Sequence, residues 1–164
     1  MLQRSGCIVG APQLPMAWQV ASGRHHESNF AAPLLDAALA RGFRPETVAT
    51  DKAYDNNRIH AECEAREVLP VIPLKGVKGK QPVLPFALGG RLMPMIPRHT
   101  QRFRDLYKGR RAAERLFGEL KTYYGLTPLR VRGLAKVQLH ADLTILARLG
   151  RSLLHAREAV AVAA

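Results

Sequence analysis

The chain has 164 residues, of which 47% are apolar, so it is long and hydrophobic enough for one domain and is not a disordered tail. Lysine and arginine total 25 against 13 acidic residues, and the net charge of +12 favours a polyanionic partner, most often nucleic acid, over a merely soluble basic protein. The two cysteines form no C-x-x-C pair, so no zinc site is indicated. No run of about 18 apolar residues occurs, so we expect a cytoplasmic protein without a membrane span.

The first part of the chain alternates between β-prone and helical patterns. The predicted strands are 7–10, 16–20, 46–50 and 68–72, and the predicted helices are 30–41 and 57–67. Ser28 or Asn29 is a candidate cap for the first helix, and Gly42 stands where a terminating glycine belongs. Pro70 inside the last run predicts an edge strand. This alternation predicts an α/β fold, with a short mixed sheet and flanking helices.

The second part of the chain begins with a segment rich in glycine and proline. Residues 74–100 are predicted to be a long loop, whose basic stretch 75–80 either contacts phosphate or is simply solvated. Helices are predicted at 101–124 and 134–157. Basic residues are dense from the end of the loop into the second helix, which favours phosphate contacts. They are Arg98, Arg102, Arg104, Lys108, Arg110, Arg111, Arg115, Arg130, Arg132 and Lys136.

The predicted helix 101–124 carries a polar stripe beside its apolar one. At about 100° per residue, Tyr107, Arg110, Glu114 and Lys121 fall within an arc of roughly 60°. Ordinary surface pairing between Arg110 and Glu114 explains the stripe equally well on geometry alone.

Two motifs give the stripe a more specific interpretation. The four residues match Y-x2-R-x3-E-x6-K, which resembles the signature of DDE-type transposases of bacterial insertion sequences. Upstream, ATDKAYDNN (49–57) resembles the segment of that family that carries its second catalytic aspartate, here Asp51. Weaker likenesses at 14–28 and 131–149 extend the resemblance over most of the chain outside the 74–100 loop.

The resemblance implies a ribonuclease-H-like fold in which three carboxylates hold Mg²⁺, with Mn²⁺ as the alternative cation, for cleavage and strand transfer of DNA. Asp51 and Glu114 correspond to two of these metal-binding, catalytic residues. Tyr107, Arg110 and Lys121 would contact DNA phosphates or orient Glu114. The implied partner is double-stranded DNA at transposon ends, and assembly into a transposase oligomer is left open.

The start of the chain departs from the family pattern. Residues 1–13 contain no aspartate or glutamate, and the first acid is Glu27 in a polar turn. We therefore expect residues 1–164 to be the C-terminal part of a partial ribonuclease-H-like catalytic domain, without its first strand and first aspartate. Two alternatives stay open: a catalytically incomplete remnant that binds DNA or another subunit, and a nuclease of the same fold with an unrecognised first acid.

Overall fold

The protein is a mixed α/β structure of four strands and five α-helices in the part of the chain that its computed structural model describes, residues 3–10, 13–22, 26–76, 79 and 90–163. The elements in chain order are β1 (Gln3–Gly10), β2 (Leu14–Ser22), α1 (Ala31–Ala40), β3 (Thr47–Ala49), α2 (Asn57–Glu64), β4 (Leu69–Val71), α3 (Gln101–Tyr107), α4 (Arg110–Tyr123) and α5 (Leu134–Ala163).

The strands form two separate two-stranded sheets. β1 and β2 make an antiparallel hairpin in which Gln3 faces Ser22 and Gly10 faces Leu14. β3 and β4 are parallel, joined through α2, and β4 pairs only with β3 among the described residues, so the prediction of an edge strand at Pro70 is confirmed. The predicted α/β class with flanking helices is confirmed, but the predicted short mixed sheet is instead two sheets, because β1 and β3 do not pair and a groove of about 550 Å³ lies between them.

α1 packs Leu34, Leu35 and Ala38 against the hairpin and α2. Gly42 follows it with φ of +86°, a left-handed conformation that glycine adopts without penalty, as the sequence predicts. The predicted cap is wrong, because a 3₁₀ turn (Glu27–Phe30) precedes α1 and it is His26 whose side chain accepts from the Ser28 amide. Backbone hydrogen bonds of this turn, and not a serine or asparagine side chain, therefore precede the first turn of α1.

The predicted loop 74–100 lies partly outside the described residues, including positions 77, 78 and 80 of its basic stretch. Its described residues 90–100 form turns and bends between β4 and α3. The buried Arg98 side chain holds this segment by donating to the Ile72 carbonyl at 2.6 Å and to the Arg91 carbonyl at 2.6 Å. Arg98 therefore ties the described end of the loop to the residue that follows β4.

The helix predicted at 101–124 is two helices. Lys108 and Gly109 separate α3 from α4 and keep right-handed dihedral angles, but the backbone bonds there close three-residue turns, from Gly109 to Leu106 and from Ala112 to Gly109. The prediction of one continuous helix is wrong for this reason, and Tyr107 belongs to a different helix from Arg110 and Glu114. α5 begins where predicted and runs six residues past its predicted end at Arg157.

Candidate functional site

Asp51 stands just after β3, where the chain turns into a 3₁₀ helix (Lys52–Tyr54). Its side chain caps that turn by accepting from the Ala53 amide at 3.1 Å, and 46% of the side chain is exposed. The Ala53 amide occupies one oxygen of the carboxylate, and the exposed part of the side chain leaves room for further partners.

Arg110 and Glu114 lie on consecutive turns of α4, which sets them next to Asp51. The Arg110 guanidinium makes ion pairs at 3.3 Å with the Asp51 carboxylate and at 2.9 Å with that of Glu114. The Arg110 guanidinium therefore contacts two acidic residues, Asp51 and Glu114, that are 63 positions apart in the sequence. The ordinary i,i+4 pair exists, but it is part of a contact between α4 and the end of β3.

Tyr107 belongs to α3 and is half-buried. Its ring stacks on Phe103, with centroids 5.9 Å apart, and packs near the buried Val71 and Ile96. Burial raises the pKa of the Tyr107 phenol, and the neighbouring Arg110 charge partly opposes this shift. The phenol is therefore a neutral group that supports Arg110 from the core side.

Lys121 is exposed on the last turns of α4, away from Asp51. It lines a second groove, of about 710 Å³, together with Arg110 and Glu114, and the groove also has apolar lining residues such as Leu120 and Ile145. Arg110 lines both grooves. Three residues of the motif, Arg110, Glu114 and Lys121, thus line the same groove, and Tyr107 does not.

Asp51 and Glu114 are hard oxygen donors with exposed faces, which is the chemistry that Mg²⁺ requires. Within the described residues, no three histidine, cysteine, aspartate or glutamate side chains come together as a metal-binding group. The pair therefore fits part of a divalent-cation site and not the whole of a two-metal one.

Asp55, which the sequence does not single out, is the centre of a buried charged cluster. Its carboxylate accepts from Arg91 at 2.9 Å, from Arg98 at 3.0 Å and from the Lys75 amide at 2.8 Å, and its side chain is fully buried. His60 lies 3.4 Å away. We call Asp55, His60, Arg91 and Arg98 the Asp55 cluster. A second aspartate four residues after Asp51 is the only hint of it in the sequence.

Burial lowers the pKa of the His60 imidazole, and the charge of Arg98 lowers it further, whereas Asp55 opposes the shift. His60 is therefore neutral at physiological pH. Arg98 is only 3% exposed, so its predicted membership of a phosphate-binding cluster is wrong. The burial follows from its partners: an arginine that satisfies two carbonyls and an aspartate is stable inside the protein.

Trp18 is partly buried and packs against the core instead of offering a base-stacking platform. Its indole donates to Asp142 at 2.7 Å, Arg41 lies 4.9 Å from the ring centroid, and the ring packs against the core formed by Leu116, Leu120 and Ile145.

A profile of the family described as "Transposase DDE domain" matches residues 6–149, which is most of the chain. The chain belongs to this family of transposases, so its function is transposase-related. The family implies DNA binding and generally uses divalent metal ions. No curated protein and no solved structure gives a significant match. Among the described residues, no helix has both the length and the apolar character needed to cross a bilayer.

Proposed function

We propose that this chain carries part of the catalytic site for DNA transposition, in which Asp51 and Glu114 hold Mg²⁺ or Mn²⁺ against the phosphodiester of a transposon end. The observation that carries the proposal is the shared guanidinium of Arg110, which joins the two motif acids although they come from different elements. The bound cation would activate the attacking oxygen and stabilise the leaving one.

Arg110 has a specific role in this proposal. Without a cation, its guanidinium offsets one of the two negative charges of Asp51 and Glu114 and so reduces the repulsion between them. If Asp51 and Glu114 held a cation, the Arg110 guanidinium would be free to bind phosphate with two parallel hydrogen bonds. The half-buried Tyr107 restricts the movement of the Arg110 side chain, and Lys121 binds DNA further along the 710 Å³ groove.

A further acid is required for a two-metal site, and the split sheet offers a position for it. The 550 Å³ groove is lined by residues 8–10 of β1 and by 43–50, which include β3, and Arg110 stands at its border. An extended segment placed there would join the two sheets into one ribonuclease-H-like sheet and end beside Arg110. In this proposal the described chain alone is catalytically incomplete.

The second candidate function is a DNA-binding or subunit-interaction protein derived from a transposase. The absence of a third clustered acid among the described residues favours it. It predicts DNA binding without a functional metal site, whereas the first candidate requires cation binding at Asp51 and Glu114.

The deciding experiment measures Mn²⁺ binding by electron paramagnetic resonance, together with Mg²⁺- or Mn²⁺-dependent nicking of supercoiled plasmid. We expect Mn²⁺ binding that Asp51→Asn and Glu114→Gln each weaken at least tenfold, that Glu158→Gln on exposed α5 leaves unchanged, and no nicking by the chain alone. Mn²⁺ binding that all three variants leave intact would favour the second candidate. Nicking that persists in Glu114→Ala would remove Glu114 from the site.

A further inference from the structure

The 3₁₀ turn that begins at Asp51 ends at a second aspartate, Asp55. The Asp51 side chain accepts from the Ala53 amide at 3.1 Å, and the Asp51 carbonyl accepts from the Tyr54 amide at 3.0 Å. At the other end, the Asp55 amide donates to the Lys52 carbonyl at 3.2 Å. Hydrogen bonds therefore span the whole turn, so a displacement of Asp55 is transmitted through the backbone to Asp51.

The two ends of this turn differ in how firmly their side chains are held. The Asp51 side chain is 46% exposed, and its ion pair with Arg110 is 3.3 Å long. The Asp55 side chain is fully buried, and its carboxylate accepts from a backbone amide and from two guanidinium groups. Hydrogen bonds to a buried charged group are strong, whereas surface ion pairs contribute little. Asp55 is therefore the fixed end of the turn, and Asp51 is the exposed end.

The donors to Asp55 come from both described ends of the 74–100 loop. At the start of the loop, the Lys75 amide donates to Oδ2 of Asp55 at 2.8 Å. Near its end, Arg91 Nε donates to the same oxygen at 2.9 Å, and Arg98 Nη2 donates to Oδ1 at 3.0 Å. Asp55 therefore joins the chain after β4 and the chain before α3 to the turn that carries Asp51.

Stability alone gives no physical reason for charged groups at this place. A buried ion pair is often no more stable than apolar side chains of similar volume, because desolvation offsets the attraction between the charges. The adjoining His60 adds a cost, since its buried Nδ1 atom has no hydrogen-bond partner among the described residues. Directed hydrogen bonds differ from apolar contacts because they fix the position of the group that they hold.

We propose that Asp55 is a positioning residue for Asp51, which it holds through the 3₁₀ turn at the place where the Asp51 carboxylate binds a cation. The inference rests on the proposed function of Asp51 and extends it to a residue that is fully buried. Metal affinity typically falls about 10–100-fold when a group that orients a ligand is lost. The reason is that a ligand must be held within about 0.5 Å of its productive position.

Arg91→Gln separates positioning from electrostatic attraction. If only charge mattered, removal of a positive charge would tighten cation binding, whereas loss of a donor to Asp55 should weaken it if Asp55 positions Asp51. The Arg91 side chain is one-third exposed, so we expect this variant to fold. Mn²⁺ titration followed by electron paramagnetic resonance should show binding about threefold to tenfold weaker than in the wild type. Arg58→Gln removes the same charge at an exposed site on α2 and should not weaken binding.

Hydrogen exchange of the Lys75 amide tests the coupling without any substitution in the Asp55 cluster. Coupling between two sites is reciprocal, so if Asp55 determines the position of Asp51, a cation at Asp51 should stabilise the hydrogen bond from Lys75 to Asp55. We expect the amide to exchange about threefold to tenfold more slowly in saturating Mg²⁺, and we expect no such change in Asp51→Asn. A purely structural role of Asp55 would not produce this dependence on Mg²⁺.

The outcomes distinguish this inference from the proposed function on which it rests. Mn²⁺ binding that is unchanged or tighter in Arg91→Gln, or Lys75 exchange that Mg²⁺ leaves unaltered, would each overturn the positioning role. The proposed function would survive either result as long as Asp51→Asn weakens Mn²⁺ binding. Wild-type Mn²⁺ binding by Asp51→Asn would overturn both. If Arg91→Gln does not fold, the exchange of the Lys75 amide in the wild-type chain decides.

Discussion

Asp55 joins the segment after β3 to the described ends of the 74–100 loop, and its charge cannot be removed without leaving a buried arginine without its anionic partner. Arg98 is 1% exposed in its side chain and depends on Asp55 as its anionic partner. Asp55→Asn should therefore lower the free energy of unfolding by about 3–5 kcal/mol, the usual cost of breaking a buried ion pair on one side. Urea unfolding measures it, with the exposed Asp105→Asn as the control that should change little. A loss as small as that of the control would mean that water reaches Arg98.

His60 makes the stability depend on pH with a defined sign. Its pKa in the folded protein is lowered by burial, so between that value and about 6.5 the unfolded chain binds a proton that the folded chain does not. The free energy of unfolding should therefore fall as the pH drops below about 6.5. His60→Gln should flatten this dependence, and His155→Gln, at an exposed site, should not. Urea midpoints measured from pH 7.5 to 5.5 give the slopes, and identical slopes for both variants would exclude His60 as the cause.

At the scale of the element, two glycines have opposite requirements. Gly42 ends α1 with φ of +86° and has open space around it, so Gly42→Ala should destabilise the protein by about 1 kcal/mol through backbone strain alone. Gly118 lies inside α4 with no atom near its potential Cβ, so Gly118→Ala should stabilise by roughly 0.5–1 kcal/mol. Thermal and urea unfolding of both variants checks the signs. A destabilising Gly118→Ala would show that the 710 Å³ groove tolerates no added methyl group.

The elements that could be predicted from the sequence are those whose signals are local. Gly42 and Pro70 each determine an end or an edge through their own backbone chemistry, and both predictions are confirmed. The break at Gly109 was missed because the hydrophobic period continues across it and only the hydrogen-bond spacing changes. The Asp55 cluster was missed because its partner Arg98 is 43 positions away and looks like one more surface charge in a basic stretch.

The candidate site shows the same division. The motif spacing placed Arg110 and Glu114 on one helix face. In the structure the Arg110 guanidinium makes an ion pair with Asp51 as well as with Glu114. That Asp51 and Glu114 bind metal stays a prediction. The separation of the strands into two sheets could not be predicted, because strand pairing depends on contacts between distant segments and no local pattern reports that β1 and β3 remain unpaired.

At the scale of the whole molecule, the net charge of +12 should act through a localised surface and not uniformly. Arg111 and Arg115 are exposed on α4, next to the turns that carry Arg110 and Glu114. Arg111→Ala with Arg115→Ala should weaken duplex DNA binding roughly tenfold at 0.1 M salt. It should also reduce the slope of log affinity against log salt by about 1–2, because two phosphate contacts disappear.

The control for this prediction removes the same charge elsewhere. Arg58→Ala with Arg151→Ala lowers the net charge by two at exposed positions on α2 and α5. If DNA follows the α4 surface, this variant should keep the wild-type salt slope and lose little affinity, because distant charges are screened beyond about 10 Å at this ionic strength. Fluorescence anisotropy with one labelled duplex at four salt concentrations supplies both slopes. Equal losses in the two variants would mean that the protein attracts DNA through its overall charge, and that the surface around Asp51 and Glu114 is not where the duplex lies.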